Sequence, residues 1–296
     1  PGDSGVYFEI DSFLPASDPR YNFLKNPREF NEIQGFRIKT MKLRNTLSQG
    51  LLLPIEAFPE IPANSDDVTE LLGILKYEPP IPACLAGEVF GFLPGYLHKT
   101  DQERIQNYWI NNNPFNDNSY WEVTTKLDGA SCQFSYQEID SDNDNFLVCS
   151  RNLNLKPSDK NTLWKLANRY DIRNKMANMK RQLSIQGEII GEGIQGNPEK
   201  LKGQDFYVFD VYDIVAHKFL GWAERDLIVK ELGLKSVPYL VTRQFDFSTL
   251  DDALQYAEGP SLNPATSREG VVWKAVDGSR SFKIISNSYL LKHGDR

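Results

Sequence analysis

Residues 120–129, YWEVTTKLDG, join a strand-like run to a turn that carries two charged residues. The aromatic and β-branched residues of 120–125 predict a strand, and residues 131–137 predict a second one. Between them, Lys126-Leu127-Asp128-Gly129 places a lysine at a strand end, beside a glycine that lets the backbone turn closely. A four-residue pattern also fits an ordinary surface turn, so its meaning depends on the rest of the chain.

After this turn, strands and helices follow one another in mixed order. Without regular strand–helix alternation, the pattern favours the α+β class over a doubly wound sheet. A capping box, Thr100-Asp101-Gln102-Glu103, is expected to start a helix through 105–109. The further strands are predicted at 145–150, 184–190, 206–213, 239–244, 270–274 and 281–285, and the further helices at 159–181, 225–232 and 249–257.

The first part of the chain is predicted to be β-rich. Strands are expected at 36–43 and 49–53 around a turn at 45–48, with one helix at 67–75. Short strands with few helices suggest a small barrel or sandwich, and an oligonucleotide-binding (OB) barrel is one choice among several.

Prolines and glycines between residues 79 and 95 mark a junction between domains. We therefore expect a β-barrel domain at 1–90 and a second domain at 91–296. The sequence begins Pro1-Gly2-Asp3 and passes straight into a strand, with no initiator methionine. We expect natural N-terminal residues, including a partner strand, to precede this start.

Charge is unevenly distributed along the chain. The formal charge of −7 argues against a protein that coats nucleic acid, because non-specific affinity comes mainly from neutralised phosphates. Residues 151–185 nevertheless contain nine basic and two acidic residues, a local charge of +7. This segment predicts a positioned contact with a phosphate backbone, or else a solvated helical face.

Several classes of protein are disfavoured. The chain has neither an apolar run of about eighteen residues nor a basic-then-apolar N-terminus, so neither a membrane span nor a secretory signal is indicated. Its cysteines, Cys84, Cys132 and Cys149, are odd in number and form no C-x-x-C pair, which disfavours a disulfide framework and a structural zinc site. We expect a reducing compartment, such as the cytoplasm.

Further segments give the Lys126 turn a context. In chain order they are Ser150-Arg151-Asn152, Gly187-Glu188, Phe206–Asp210, Glu269-Gly270-Val271-Val272 and Phe282-Lys283. With the Lys126 turn, this ordered set resembles the motifs of the covalent nucleotidyltransferases, the superfamily of polynucleotide ligases and capping enzymes, over most of residues 100–296. Within it, Gly187-Glu188 running into Gly193-Ile194-Gln195, and Asp205–Asp210, look most like RNA ligases.

The resemblance implies a fold and a reaction. The fold would be an α+β nucleotidyltransferase (adenylation) domain of antiparallel sheets with helices, preceded by a small OB-like domain. The reaction would use ATP to place AMP on Lys126, transfer it to an RNA 5′-phosphate, and seal that end to a 3′-hydroxyl. A clade with this domain order repairs nicked RNA, so the expected partner is RNA with 3′-hydroxyl and 5′-phosphate ends. Neither a membrane nor a protein partner is implied.

The chemistry assigns a role to each motif residue. A lysine of ordinary pKa is neutral in only about one molecule in 2,000 at pH 7, so Lys126 must lose its proton before it can attack phosphorus. Asp128, Glu188 and Glu269 should hold that proton unless a divalent cation intervenes. These carboxylates are therefore candidate ligands for Mg²⁺ or Mn²⁺, which prefer oxygen donors.

The remaining motif residues would bind the nucleotide. Arg151 and Lys283 are the candidate cations for the transferring phosphoryl group. Phe209 would stack on adenine. RNA ligases of this kind often carry a second lysine two residues after the first in the last motif, where this chain has Ile285, so Lys283 alone or with Lys274 or Lys292 would serve.

Three alternatives share parts of this pattern. A minimal DNA ligase would use the same lysine chemistry on a DNA end. A capping-type nucleotidyltransferase would require GTP. A non-catalytic RNA-binding module with an inherited fold would have no need of intact Lys126, Asp128, Glu188 and Glu269, so the presence of all four counts against it.

Overall fold

A computed structural model describes residues 4–294, except 40, 44–45, 49, 63–64, 78–86, 111–117 and 138–144. Cys84 and the prolines of the predicted junction at 79–82 lie outside these described residues. The chain divides into two compact units, an N-terminal unit of residues 1–82 with 290–296, and a larger unit of residues 83–289.

The N-terminal unit consists mainly of short strands. They are β1 (Gly5–Glu9), β2 (Ser12–Pro15), β3 (Arg28–Phe30), β4 (Ile33–Arg37), β5 (Met41–Leu43), β6 (Thr46–Ser48), β7 (Gly50–Pro54) and β8 (Leu75–Lys76), with single 3-10 turns at Pro19–Tyr21 and Ile55–Ala57. Strands β3-β4-β2-β8 form one sheet, β1 pairs with β7, and β5 pairs with β6. Phe8, Leu14, Tyr21 and Phe58 are buried at the centre of the unit.

Two predictions in this unit are wrong. Residues 46–48, expected to be part of a turn at 45–48, form β6 and pair with β5. The helix at 67–75 does not form, and residues 69–73 make successive turns that lead into β8. The Asp67 carboxylate accepts from the Thr69 N–H at 2.8 Å, and Gly73 takes a positive φ of 62°. The Asp67 hydrogen bond and the positive φ of Gly73 both favour turns over a continued helix.

The larger unit is built on two mainly antiparallel sheets. Its strands are β9 (Val89–Phe92), β10 (Glu103–Arg104), β11 (Tyr120–Lys126), β12 (Ala130–Tyr136), β13 (Phe146–Ser150), β14 (Leu153–Leu155), β15 (Leu183–Gly191), β16 (Gln204–Asp213), β17 (Lys218–Phe219), β18 (Lys235–Ser236), β19 (Tyr239–Gln244), β20 (Gly270–Ala275) and β21 (Ser281–Ile285). One sheet has the order β10-β21-β20-β11-β19. The other has the order β17-β16-β15-β12-β13-β14-β9, with β18 beside β16.

Helices accompany these sheets. They are α1 (Ile105–Ile110), α2 (Thr162–Arg169), α3 (Ile172–Met179), α4 (Trp222–Glu231), α5 (Leu250–Tyr256) and α6 (Asn287–His293). Among the described residues, none of these helices is long and apolar enough to cross a membrane. Trp121, Trp273 and Phe282 are fully buried in the core of the five-stranded sheet.

Two helix predictions are also wrong in detail. The continuous helix at 159–181 is divided in two, because Asp171 adopts a left-handed conformation between α2 and α3. Helix α2 instead starts at Asn161, whose side chain accepts from the N–H groups of Leu163 and Trp164. The predicted helix through 105–109 is present as α1, but the capping box at 100–103 does not start it, because Glu103 belongs to β10, which pairs with β21.

Candidate active site

The Lys126 turn connects the two sheets of the larger unit. Lys126 ends β11 in one sheet, and β12 begins the other sheet at Ala130. Only a glycine fits at position 129, because a Cβ there would lie 2.3 Å from the Ile189 carbonyl oxygen and 2.8 Å from Cγ of Glu188. The close approach at Gly129 therefore brings Glu188, on β15, beside the lysine.

Lys126 faces Glu269 directly. In the β11–β20 pairing Lys126 lies opposite Gly270, which places the preceding residue, Glu269, next to the lysine side chain. Lys126 Nζ lies 2.7 Å from Glu269 Oε2, and both side chains are partly buried. Burial lowers the pKa of Lys126, but the charges of Glu269, Glu188 and Asp128 outweigh it, so the net pKa is raised. At neutral pH the free protein holds Lys126 as an ammonium ion.

Glu188 is a carboxylate with a strongly raised pKa. Burial, with smaller contributions from the charges of Glu269 and Asp128, outweighs the opposing charge of Lys126 and raises the pKa of Glu188 to about 8. The Gly129 N–H donates to this carboxylate and favours its ionised form. Three carboxyl groups thus share one ammonium, which leaves the cluster short of positive charge.

Lys283 supplies a second cation at the edge of this cluster. It lies on β21 between Val272 of β20 and Arg104 of β10. Burial, together with the positive charge of Lys126, lowers the pKa of Lys283 to about 8. Ile285, at the position of the second family lysine, is buried.

Arg151 lies farther out. It occupies the turn between β13 and β14, and its exposed guanidinium is paired with Asp101 at 2.9 Å. Asp101 also acts electrostatically on Lys283, so this carboxylate lies between Arg151 and the lysine cluster. Sequence reasoning assigned Asp101 to a helix cap and missed this position.

Phe209 is packed beneath the Lys126 turn. It lies on β16 and contacts an apolar cluster that includes Leu127, Ile190 and Tyr207. Its carbonyl oxygen accepts from Lys274 Nζ. Lys274 is therefore turned toward β16, where it also forms a 2.7 Å ion pair with Asp210.

The Asp210–Lys274 pair joins the two sheets through the protein interior. Its side chains are only 3% and 6% exposed. A second buried pair, Glu122 with Arg225, connects β11 to α4. Both Arg225 and Glu122 act electrostatically on Lys274, so the four residues form one buried charge network. Of these four residues, Asp210 and Lys274 were named from the sequence, but their contact was not predicted.

The carboxylates suit a hard divalent cation, although they do not form a complete protein cage. Among the described residues, no three His, Cys, Asp or Glu side chains are arranged to hold a metal ion by themselves. Mg²⁺ commonly binds through one or two carboxylates, retained waters and substrate phosphates, so a full cage is not required. The deficit of positive charge around Glu188 fits such an ion.

The basic segment lies on the surface of α2 and α3. Lys165, Arg169 and Arg173 are exposed. Arg169 pairs with Asp205 at 3.3 Å and donates to the Gln204 carbonyl oxygen. Part of the positive charge is thus neutralised by β16. Of the cysteines, Cys132 and Cys149 are buried free thiols whose pKa values are raised by burial.

Comparisons with known proteins agree with this geometry. The RNA ligase family matches residues 119–285, and an OB-fold domain family matches residues 1–55. Similar solved structures include Naegleria gruberi RNA ligase with PPi, a lysine-to-alanine variant with ATP and Mn, and a lysine-to-methionine variant with AMP and Mn. Each is 46% identical, over 100% of this chain and 88% of its own, with TM-scores of 0.82, 0.82 and 0.83. No curated protein matches the chain.

These matches confirm the resemblance inferred from the motifs and the α+β fold with an N-terminal OB-fold domain. The family match covers more than half of the chain, and the identity with the Naegleria ligase extends over all of it. The chain belongs to the RNA ligase family.

Proposed function

We propose that Lys126 is the nucleophile of this ATP-dependent RNA ligase and that the side chains around it prepare it for attack. The observation that carries the assignment is the 2.7 Å contact between Lys126 Nζ and Glu269, with Glu188, Asp128 and Lys283 within electrostatic reach. Naegleria ligase variants with a replaced lysine, and others with a replaced glutamate, are seen with ATP or AMP and Mn, which supports a nucleotide site built from lysine and glutamate side chains.

The reaction proceeds through a lysine–AMP intermediate. The neutral Lys126 nitrogen attacks the α-phosphorus of ATP, an N–P bond forms, and pyrophosphate leaves with the electrons of the broken P–O bond. An RNA 5′-phosphate oxygen then attacks the same phosphorus, the N–P bond breaks, and Lys126 regains a proton. Finally, the RNA 3′-hydroxyl oxygen attacks the 5′-phosphorus, loses its proton and displaces AMP.

ATP and a divalent ion, Mg²⁺ or Mn²⁺, are the cofactors. Asp128, Glu188 and Glu269 would hold the ion, together with phosphate oxygens and water. When bound, the ion neutralises phosphate charge and favours loss of the proton from Lys126. The carboxylates then orient the neutral amine.

The other motif residues are assigned to the nucleotide and the RNA end. Lys283, whose pKa is about 8, would regain full charge beside a phosphate and stabilise the charge on the transferring group. Arg151 would exchange Asp101 for a phosphate oxygen. Phe209, beside Leu127, would stack on adenine.

We further propose that the substrate is RNA with 3′-hydroxyl and 5′-phosphate ends at a nick in a duplex, and that the enzyme repairs RNA in the cytoplasm. The basic surface of α2 and α3 supports contact with a duplex backbone. Residues 1–90 would form the OB-like domain and 91–296 the adenylation domain. The RNA ligase matches favour this function over a minimal DNA ligase, a GTP-using capping-type enzyme or a non-catalytic RNA-binding module.

Intact-protein mass spectrometry after incubation with ATP and Mg²⁺ tests the nucleophile. Wild type should gain the mass of one AMP, Lys126→Ala should gain none, and the exposed control variant Lys218→Ala should behave as wild type. Addition of AMP to Lys126→Ala would refute the assignment. Supplying GTP instead of ATP tests nucleotide choice in the same assay. Loss of the added AMP mass when RNA or DNA ends are supplied tests acceptor choice.

A further inference from the structure

Two phenylalanines are exposed on β9, the terminal strand of the eight-stranded sheet. Phe90 is 65% exposed and Phe92 is 63% exposed. Their neighbour Val89 is buried, so the strand has an inner face that contributes to the core and an outer face that carries only these two rings.

A local irregularity turns Phe90 outward. In the β14–β9 pairing, Asn154 lies opposite Gly91 and Leu155 lies opposite Val89, so Phe90 is an extra residue without a partner. Gly91 takes a φ of 155°, and a Cβ at that position would meet nothing within 4 Å. Glycine is therefore kept for its backbone conformation and not for lack of space. Bulges of this kind re-aim a side chain and interrupt strand pairing.

Lys156 and Arg151 lie at opposite ends of the Phe90–Phe92 pair. The Lys156 N–H donates to the Glu88 carbonyl oxygen at 2.9 Å, and its Nζ lies 6.0 Å from the centre of the Phe90 ring. At the other end, the Leu93 N–H donates to the Asn152 carbonyl oxygen at 2.8 Å, which fixes β9 beside the turn that carries Arg151. We call the surface formed by Phe90, Phe92, Lys156 and Arg151 the strip. Glu88, beside it, is an exposed acidic residue.

An ion pair and an electrostatic interaction connect this strip to the active site. Arg151 pairs with Asp101, and Asp101 acts on Lys283. A polynucleotide end held near Lys126 and Lys283 could thus continue past Arg151 onto Phe92 and Phe90. The interrupted edge of β9 disfavours the alternative that a strand of a second copy pairs there.

We propose that Phe90 and Phe92 form a stacking subsite for unpaired bases of the RNA substrate, with Lys156 binding the adjacent phosphate. Both rings are exposed, so an unpaired base can stack on the face of either one. Aromatic faces accept any base, which gives affinity without sequence preference. Resting on the proposed ligase function, this inference adds that a nicked duplex with an unpaired tail binds more tightly than the same nick without a tail.

The test compares wild type with Phe90→Leu/Phe92→Leu, which keeps apolar volume and removes both rings. The control is Tyr239→Leu, an exposed aromatic on the other sheet. The probes are a nicked RNA duplex with an unpaired tail, the same duplex with abasic residues in the tail, and the fully paired nick. Wild type should bind the tailed duplex at least about 5-fold more tightly than the abasic one. The double variant should lose this difference, whereas Tyr239→Leu should keep it.

Other outcomes would overturn the proposal. Equal tail preference in the double variant and wild type would exclude the subsite, and a double variant that changed from dimer to monomer in light scattering would assign the strip to a protein interface. Formation of enzyme–AMP is measured in parallel and should be unchanged, which also shows that the variant is folded. If wild type itself forms no enzyme–AMP, the proposed function fails independently of the subsite.

Discussion

Lys126 Nζ lies 2.7 Å from Glu269 Oε2, so the predicted nucleophile is held as an ion pair in the free protein. Glu269→Gln should therefore lower the pKa of Lys126, because burial, which opposes the ammonium form, is then less fully offset. Acylation of Lys126 by an amine-reactive reagent, followed against pH without metal, measures this pKa. Glu231→Gln, an exposed carboxylate of α4, is the control. An unchanged midpoint would rule out Glu269 as the dominant counterion.

Binding of the divalent ion should release a proton from Glu188. Because its pKa is raised to about 8, Glu188 is mostly protonated at pH 7 in the metal-free protein, and a cation favours the carboxylate. Metal affinity should thus rise with pH, by at most about tenfold per unit, and level off above pH 8. Calorimetric titration with Mn²⁺ in buffers of different ionisation enthalpy measures the release. Glu188→Gln should remove the part of the release that comes from this carboxyl group, while the exposed control Glu192→Gln should leave the release unchanged.

The interior charge network should be sensitive to loss of one partner. Lys274→Met leaves Asp210 buried without its counterion and should lower the free energy of unfolding by about 3–5 kcal/mol. Asp210→Asn combined with Lys274→Met should restore most of it, since neither charge then remains unpaired. Denaturant titration measures both variants. Lys230→Met, which breaks the exposed pair with Asp226, should cost less than about 1 kcal/mol. Equal losses for the two single variants would contradict this account.

The basic surface of α2 and α3 should bind RNA without taking part in adenylylation. Lys165→Glu/Arg173→Glu should weaken RNA binding and reduce the salt dependence, by roughly 0.7–0.9 in the log–log slope for each lost phosphate contact. Arg169 is left unchanged because it also holds Asp205. Enzyme–AMP formation should equal that of wild type. A fall in adenylylation instead would place these residues in the active site or the fold, and Lys218→Glu controls for a general charge effect.

The strands were the most predictable part of the fold. The predicted bounds of β19 and β21 coincide with the structure, because short runs rich in β-branched and aromatic residues favour strands. The helix predictions failed where a side chain competes with the backbone. Asp67 closes a turn instead of a helix, and the left-handed Asp171 divides α2 from α3.

The candidate site was predictable only in part. Lys126, Asp128, Glu188, Glu269 and Lys283 lie in short ordered motifs, and the structure brings them within electrostatic reach of one another. The Asp210–Lys274 contact joins strands of two different sheets, and no local sequence spacing encodes such a contact. The position of Asp101 was missed for the same reason, because it depends on where β10 pairs with β21.

The distance along the chain between the lysine and its counterion has a consequence for synthesis. Lys126 and Glu269 are 143 residues apart, and β20 and β21 follow β11 to β19 along the chain. A nascent chain that has exposed the lysine turn alone possesses neither Glu269 nor Lys283, so it lacks two of the groups proposed to bind ATP and its metal ion. On that proposal, addition of AMP to Lys126 has to wait until residues up to Lys283 have left the ribosome, so shorter nascent chains consume no ATP.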